Sequence, residues 1–198
     1  MSQGCFTLQG EIGLLTRRMG KDAGDEQSML PRKIRMGDLD AFHELFSQVA
    51  AEGLYSSRPF APPKAVIARA LQRADENGWA VYVIEQAGRI IATAEAYPDS
   101  YCRPQGDAHV GVLGMQVHAA WRRQGLGRRL LDTVIGHCQA QGMGCIELTV
   151  FKSNHAALAL YQRYGFVWVQ DLPACLLPAG HRDQPQRMRL TLPASPGA

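Results

Sequence analysis

At 198 residues the chain has the size of one domain, since two full domains would each need about 100 residues or more. Hydrophobic residues at 46% and charged residues at 20% can build a core and exclude wholesale disorder. Lys+Arg at 21 against Asp+Glu at 18 leaves only +3, too small an excess to point to a nucleic-acid partner. The five cysteines, Cys5, Cys102, Cys138, Cys145 and Cys175, are odd in number and include no C-x-x-C pair. That argues against a disulfide framework or a zinc site, and for the reduced thiols of a cytoplasmic protein. No apolar run approaches the roughly 18 residues of a membrane span, and the first twenty residues lack the basic-then-apolar order of a secretory signal.

Residues 1–30 mix Gly, Gln, Asp and Lys without a sustained period and are expected to be a flexible leader, with Met29 a candidate for the true start. Arg32 to Met36 is a short strand candidate. Asp38 is placed to cap a helix to about Ala51, with Leu39, Phe42, Leu45, Phe46 and Val49 at helical spacing. Pro59, Pro62 and Pro63 keep 56–63 a loop. A second helix runs from Lys64 to Glu76, on the stripe Val66, Ile67, Ala70 and Leu71, and Asn77-Gly78 ends it. Trp79 to Gln86 and Arg89 to Tyr97 flank Ala87-Gly88 and predict a hairpin.

A third strand is predicted from His109 to His118, then a helix from Gln124 to Gly142 with Leu126, Leu130, Leu131, Val134, Ile135 and Cys138 on one face. Strand Cys145 to Phe151, helix Asn154 to Tyr164 and strand Phe166 to Gln170 follow. A proline-bearing loop, 173–185, leads to a last strand from Met188 to Leu192, with a tail from Pro193. This order predicts an α+β domain over 31–192 with one mixed sheet and helices on both faces.

The stretch Gln116 to Arg128 runs from a strand through a loop into a helix, with Gly125 and Gly127 at the junction. A helix start presents unpaired N–H groups and a partial positive charge, and glycine lets an anion approach the main chain. Arg122, Arg123 and Arg128 add charge, so the junction is suited to cradle a pyrophosphate. It is neither a Walker loop, lacking G-K-[ST], nor a dinucleotide fingerprint, lacking the third glycine.

Arg122-x-x-Gly125-x-Gly127, followed by Asn154-x-x-Ala157-x-x-x-Tyr161-x-x-x-Gly165-Phe166, closely resembles the GNAT superfamily of acetyl-CoA-dependent N-acetyltransferases. The two motifs have the family's usual separation of a helix and a strand, and the resemblance covers about residues 32–192. It implies a mostly antiparallel twisted sheet in which two parallel strands, His109–His118 and Cys145–Phe151, splay apart to form the acetyl-CoA cleft. It implies that the backbone of Met115, Gln116 and Val117 pairs with the pantetheine arm. The main chain of Arg122, Arg123, Gln124, Gly125, Leu126, Gly127 and Arg128 would hold the pyrophosphate, and Asn154 would bond the cofactor arm. Tyr161 would stand beside the sulfur as general acid. No metal is implied.

In such chemistry an amine attacks the thioester directly. A phenol of pKa ~10 can donate to a leaving thiolate of pKa ~8.5. An α-amine is roughly 10–20% neutral at pH 7 but a lysine-like amine only about 0.04%, so a base matters most for the latter. Many relatives carry a carboxylate nearer the Thr149 position, which this chain lacks. The candidates are His109, Glu147 and, on the hairpin strand, Glu95, with a water chain as an alternative. In the loop after the first helix, Arg58 could pair a substrate carboxylate, and Tyr55 with Phe60 could hold an apolar side chain. The pattern looks most like the bacterial branch acting on amino acids and small amines. Acetylation of a protein N-terminus or lysine, and a non-catalytic acyl-CoA sensor, stand as alternatives. A homodimer is left open.

Overall fold

The computed structural model describes residues 29–193, so the expected leader and tail lie almost wholly outside the described residues. The order is β1 (Arg32–Lys33), a 3-10 turn (Met36–Asp38), α1 (Leu39–Ala51), α2 (Lys64–Glu76), β2 (Ala80–Gln86) and β3 (Arg89–Pro98). Then come α3 (Asp99–Cys102), β4 (Val110–Val117), a second 3-10 turn (Ala119–Trp121), α4 (Leu126–Ala140), β5 (Cys145–Phe151) and α5 (His155–Arg163). β6 (Val167–Asp171), β7 (Cys175–Leu176), β8 (Arg182–Asp183) and β9 (Pro185–Thr191) complete the described chain. Seven strands form one sheet in the order β1-β2-β3-β4-β5-β9-β6, while β7 and β8 pair as a separate hairpin. Every pairing in the large sheet is antiparallel except β4 with β5.

Helical spacing sets the two layers. Phe42, Leu45 and Val49 of α1 and Ile67, Leu71 and Ala74 of α2 bury one stripe each against Val81, Val83 and Ile90 on one face of the sheet. On the other face, Leu126, Leu130, Leu131, Val134 and Cys138 of α4 and Tyr161 of α5 cover Ala92, Ala94, Ala96, Ile146 and Leu148. The alanines alternate along β3, so α4 meets a flat patch of small side chains. Met29 also lies in this core.

Some local readings change. Asp38 does not cap α1 with its side chain. The Arg35 N–H and the Arg32 guanidinium donate to its carboxylate at 2.7–2.9 Å instead, closing the 3-10 turn and holding the carboxyl below its ordinary range. The chain thus turns at Arg35, and β1 is shorter than expected. The expected loop 173–185 contains the β7–β8 hairpin, and β9 starts at Pro185, opposite Phe151 at the end of its ladder.

Candidate active site

β4 and β5 pair only from Val110↔Cys145 to Leu113↔Leu148. Beyond that point β3 still holds β4 as far as Val117, and β9 still holds β5 as far as Phe151. The two parallel strands, each tied to its outer neighbour, part between Gly114–Val117 and Thr149–Phe151. The His118 N–H donates to the Ile91 carbonyl, so by alternation Met115 and Val117 turn their backbone groups toward the gap. There the Val117 carbonyl accepts from Arg122 Nε at 3.0 Å.

Paired residues share a face of a sheet. The ladders therefore set a row of side chains on the α1/α2 face: Glu95, Gly114, then across the gap Thr149 and Arg187. Gly114 has a steric reason to lack a side chain, because a Cβ there would lie 2.5 Å from Glu95 Oε1. The Glu95 carboxylate thus lies across β4 at the lip of the gap. Its Oε2 is buried without a hydrogen-bond partner, and so is Oε1 of Gln116, the next residue of β4 on that face. Burial pushes the Glu95 carboxyl up to about 7, against a smaller opposing contribution from the Thr93 hydroxyl.

From the opposite layer, Tyr161 of α5 is buried, its ring 5.6 Å from that of Phe166. Burial first, and then the charge of Glu95, hold its hydroxyl well above the ordinary phenol range. A carboxyl that can accept a proton near neutrality and a phenol that keeps its own thus act on one another at the gap. Tyr164 is different: its hydroxyl donates to Asp132 at 2.6 Å and ties α5 to α4.

The expected helix start lies where the gap meets α4. Gly125 sits at the helix start with φ +82°, and a Cβ there would meet nothing. Arg123 is also left-handed, at φ +63°. Gly127 has a different role from the one expected: a Cβ would lie 3.1 Å from Leu160 and 3.5 Å from Met115, so it is small to let α5 and β4 approach α4. Asn154 accepts from the Ala157 N–H at 3.2 Å and caps α5. The open backbone at Gly125 and the stretch of the β4 edge that β5 leaves free fit a phosphate-bearing, amide-bearing donor.

The model of the acetyltransferase (GNAT) family matches residues 41–166. The chain belongs to this family. Among its relatives, the [ribosomal protein bS18]-alanine N-acetyltransferase of Escherichia coli K12 is 40% identical over 55 residues, covering 28% of this chain and 37% of the relative. The L-amino acid N-acetyltransferase AaaT of the same organism is 35% identical over 60 residues, covering 30% and 37%. The GNAT match thus spans only 37% of the length of these curated relatives. Whole-chain likeness comes from solved structures. The ribosomal-protein-alanine N-acetyltransferase of Brucella melitensis superposes with a TM-score of 0.73 at 22% identity, over 83% of this chain and 100% of that one. A putative acetyltransferase of Salmonella typhimurium, solved with acetyl-CoA, gives 0.75 at 19%, over 86% and 97%. These structures share the GNAT fold.

The remaining residues marked in the sequence fall at various distances from this GNAT cleft. His109 precedes the closed end of the β4–β5 pair, with its N–H held by Asp107 at 2.8 Å. It lies about 16 Å along the strand from Gly114. Glu147 is buried and bound: Arg189 donates to Oε1 at 2.5 and 2.9 Å, and Oε2 faces Arg187 and Arg103 at 3.7 and 3.9 Å. Arg122 commits its side chain within the fold. It grips Glu52 with both Nη atoms, at 2.7 and 2.5 Å, and covers the Tyr55 ring at 4.8 Å. Arg58 is exposed on the same loop, its N–H bonded to Ser56 Oγ at 3.0 Å.

Gln116 as a side chain, Glu52 and Arg187 were not legible from motif spacing. The signal that could have found the Glu95 pocket is Gly114, a glycine inside a strand, which marks a close approach. A cavity of about 250 Å³ lined by Lys33, Arg35, Asp75 and Trp79 lies at the other edge of the sheet and has no part in the cleft.

Proposed function

We propose that the protein transfers the acetyl group of acetyl-CoA to a primary amine of a small molecule. One observation carries the reading: Glu95 Oε2 and Gln116 Oε1 are buried acceptors without donors, at the lip of the family's donor cleft. Two orphaned acceptors, one of them a carboxylate, suit an ammonium group, which brings several donors and a positive charge.

The stretch Met115, Gln116 and Val117 holds the pantetheine arm through the gap-facing backbone of Met115 and Val117, with Asn154 beside it. The main chain from Arg122 to Arg128 holds the pyrophosphate. Glu95, rather than the arginine-bound Glu147 or the distant His109, takes the proton from the bound ammonium, and the freed amine attacks the carbonyl carbon. As the tetrahedral intermediate collapses, the C–S bond breaks, the thiolate takes the Tyr161 proton, the second proton lost from the acylated nitrogen restores the phenol, and Glu95 returns its proton to solvent. A pKa of about 7 puts Glu95 near the working pH, where Brønsted behaviour favours a base. The Arg122–Glu52 pair fixes the α1–α2 loop, with Tyr55 and Arg58, over the acceptor side.

Acetylation of a protein N-terminus is the second reading, favoured by the likeness to the ribosomal-protein-alanine enzyme. Thiol release from acetyl-CoA in the presence of amino acids, simple amines and N-terminal peptides tests both. Release with small amines supports the first reading, and release with peptides alone supports the second. No release with any amine overturns the acetyl-transfer reading.

A further inference from the structure

The row across the cleft continues past the gap. Thr149 forms the far lip, and its partner on β9 is Arg187, which in turn faces Gln170 on β6. Three strand spacings of about 4.8 Å, plus the splay, separate Glu95 on β3 from Arg187 on β9. Both side chains stand on the same face, and the row positions between them are a glycine and a threonine.

Arg187 is unusual among the arginines of this face. Its side chain is only 26% exposed, yet its nearest acidic contact is Glu147 Oε2 at 3.7 Å, beyond hydrogen-bond reach. Its neighbours are satisfied. Arg189 donates twice to Glu147, and Arg103 donates to Asp99 at 2.6 Å. Three guanidinium groups thus surround two buried carboxylates, Glu147 and Asp99, and one positive charge remains. The Arg187 guanidinium makes no hydrogen bond to any described residue, while its backbone is spent in the sheet ladders. A largely covered guanidinium with unspent donors is costly unless an anion meets it, and its planar fork matches a carboxylate.

We propose that Arg187 binds the carboxylate of the acceptor, so that the amine acetylated at Glu95 belongs to a free α-amino acid. The row gives a negative acceptor for the ammonium on one lip and a positive donor for the carboxylate on the other, the charge pattern of an amino-acid zwitterion. A peptide N-terminus or a decarboxylated amine carries no charge to neutralise Arg187. This inference rests on the acetyl-transfer reading above and names its substrate class.

The test compares kcat/KM, by thiol release, for a panel of free amino acids, their α-amides, the matching decarboxylated amines and short peptides. Hydrogen bonds to a charged partner are worth about 1.5–3 kcal/mol, so the acid is expected to exceed its amide roughly 10–150-fold. Arg187→Ala is expected to collapse that ratio toward one, mainly through the KM of the acid, and Arg187→Lys to restore part of it. An unchanged thermal shift with acetyl-CoA shows that Arg187→Ala is folded and binds donor. Equal use of acid and amide by the wild type, or an equal loss on both in Arg187→Ala, overturns the assignment while leaving acetyl transfer intact. Collapse of the ratio in Arg58→Ala but not in Arg187→Ala overturns it too, moving the carboxylate to the loop. Absence of thiol release with every amine overturns the underlying reading, and this one with it.

Discussion

Replacing Glu95 by Gln removes an ionisable carboxyl, the proposed base, while keeping the shape of the side chain. Its kinetic effect follows from the role: a positioned general base contributes roughly 10²–10⁴-fold, so kcat/KM near pH 7 should fall by that factor. The wild-type profile should rise through about pH 7 as the carboxyl loses its proton, whereas the variant should follow only the ionisation of the amine itself. The effect on stability has the opposite sign. Burial raises the Glu95 carboxyl from 4.5 to about 7, so the folded state resists its ionisation. The wild type is therefore relatively most stable below the ordinary carboxyl range and loses stability as pH rises from there toward 7. The full shift corresponds to about 3 kcal/mol. At roughly 2–4 °C per kcal/mol, Glu95→Gln should melt about 6–12 °C above the wild type at pH ~8 and close to it at pH ~4. Thermal unfolding of both proteins across pH, beside thiol-release kinetics, reads both effects. A variant that kept wild-type kcat/KM at pH ~7, or that melted lower at pH ~8, would refute the placement of a buried, titrating base at this lip.

Gly114→Ala should leave the fold standing, because its Cβ meets only the flexible end of Glu95, but it should displace the carboxylate. A drop in kcat/KM of about 10–100-fold with a Tm change under about 3 °C is expected, and wild-type rates would count against it. Tyr161→Phe should lower kcat by about 10-fold or more while leaving the acetyl-CoA thermal shift in place; unchanged turnover removes the tyrosine from the proton path. Glu52→Gln should free Arg122 from the α1–α2 loop and raise the acceptor KM about 10-fold, in line with one lost charged hydrogen bond, as measured by steady-state kinetics. Gly53→Ala, at φ +68° with a Cβ 2.7 Å from the Ala179 backbone, should cost more than about 2 kcal/mol in denaturant unfolding.

Periodicity made most of the sheet and its helices legible. The stripe on α4, the alternation along β3 and the Ala87-Gly88 turn each announced an element in the right place. The family motif likewise located the cleft between β4 and β5 and the helix start at Gly125. What spacing could not show is which side chains meet across elements. Glu147 and Glu95 look alike in sequence, each an acid on a strand. Only the register sets Glu147 against Arg189 and Glu95 against a glycine. Gly127 read as room for a ligand and serves helix packing, since Leu160 lies far along the chain. Arg122 read as a phosphate contact, and its guanidinium is committed to Glu52, 70 residues away in the chain. Asp38 read as a helix cap, and Arg32 with the Arg35 N–H captures it first. For Gly127 and Arg122 a long-range partner overrode a sound local expectation, and for Asp38 a nearer competing donor set did.

The most direct test of the account is a product analysis with isotopically labelled acetyl-CoA and a mixture of free amino acids. Acetyl transfer to an α-amine predicts labelled N-acetyl amino acid in equal amount to released thiol, with the yield strongly reduced in Glu95→Gln. Thiol released without labelled acetylamine, or labelled product formed equally by Glu95→Gln, would contradict it.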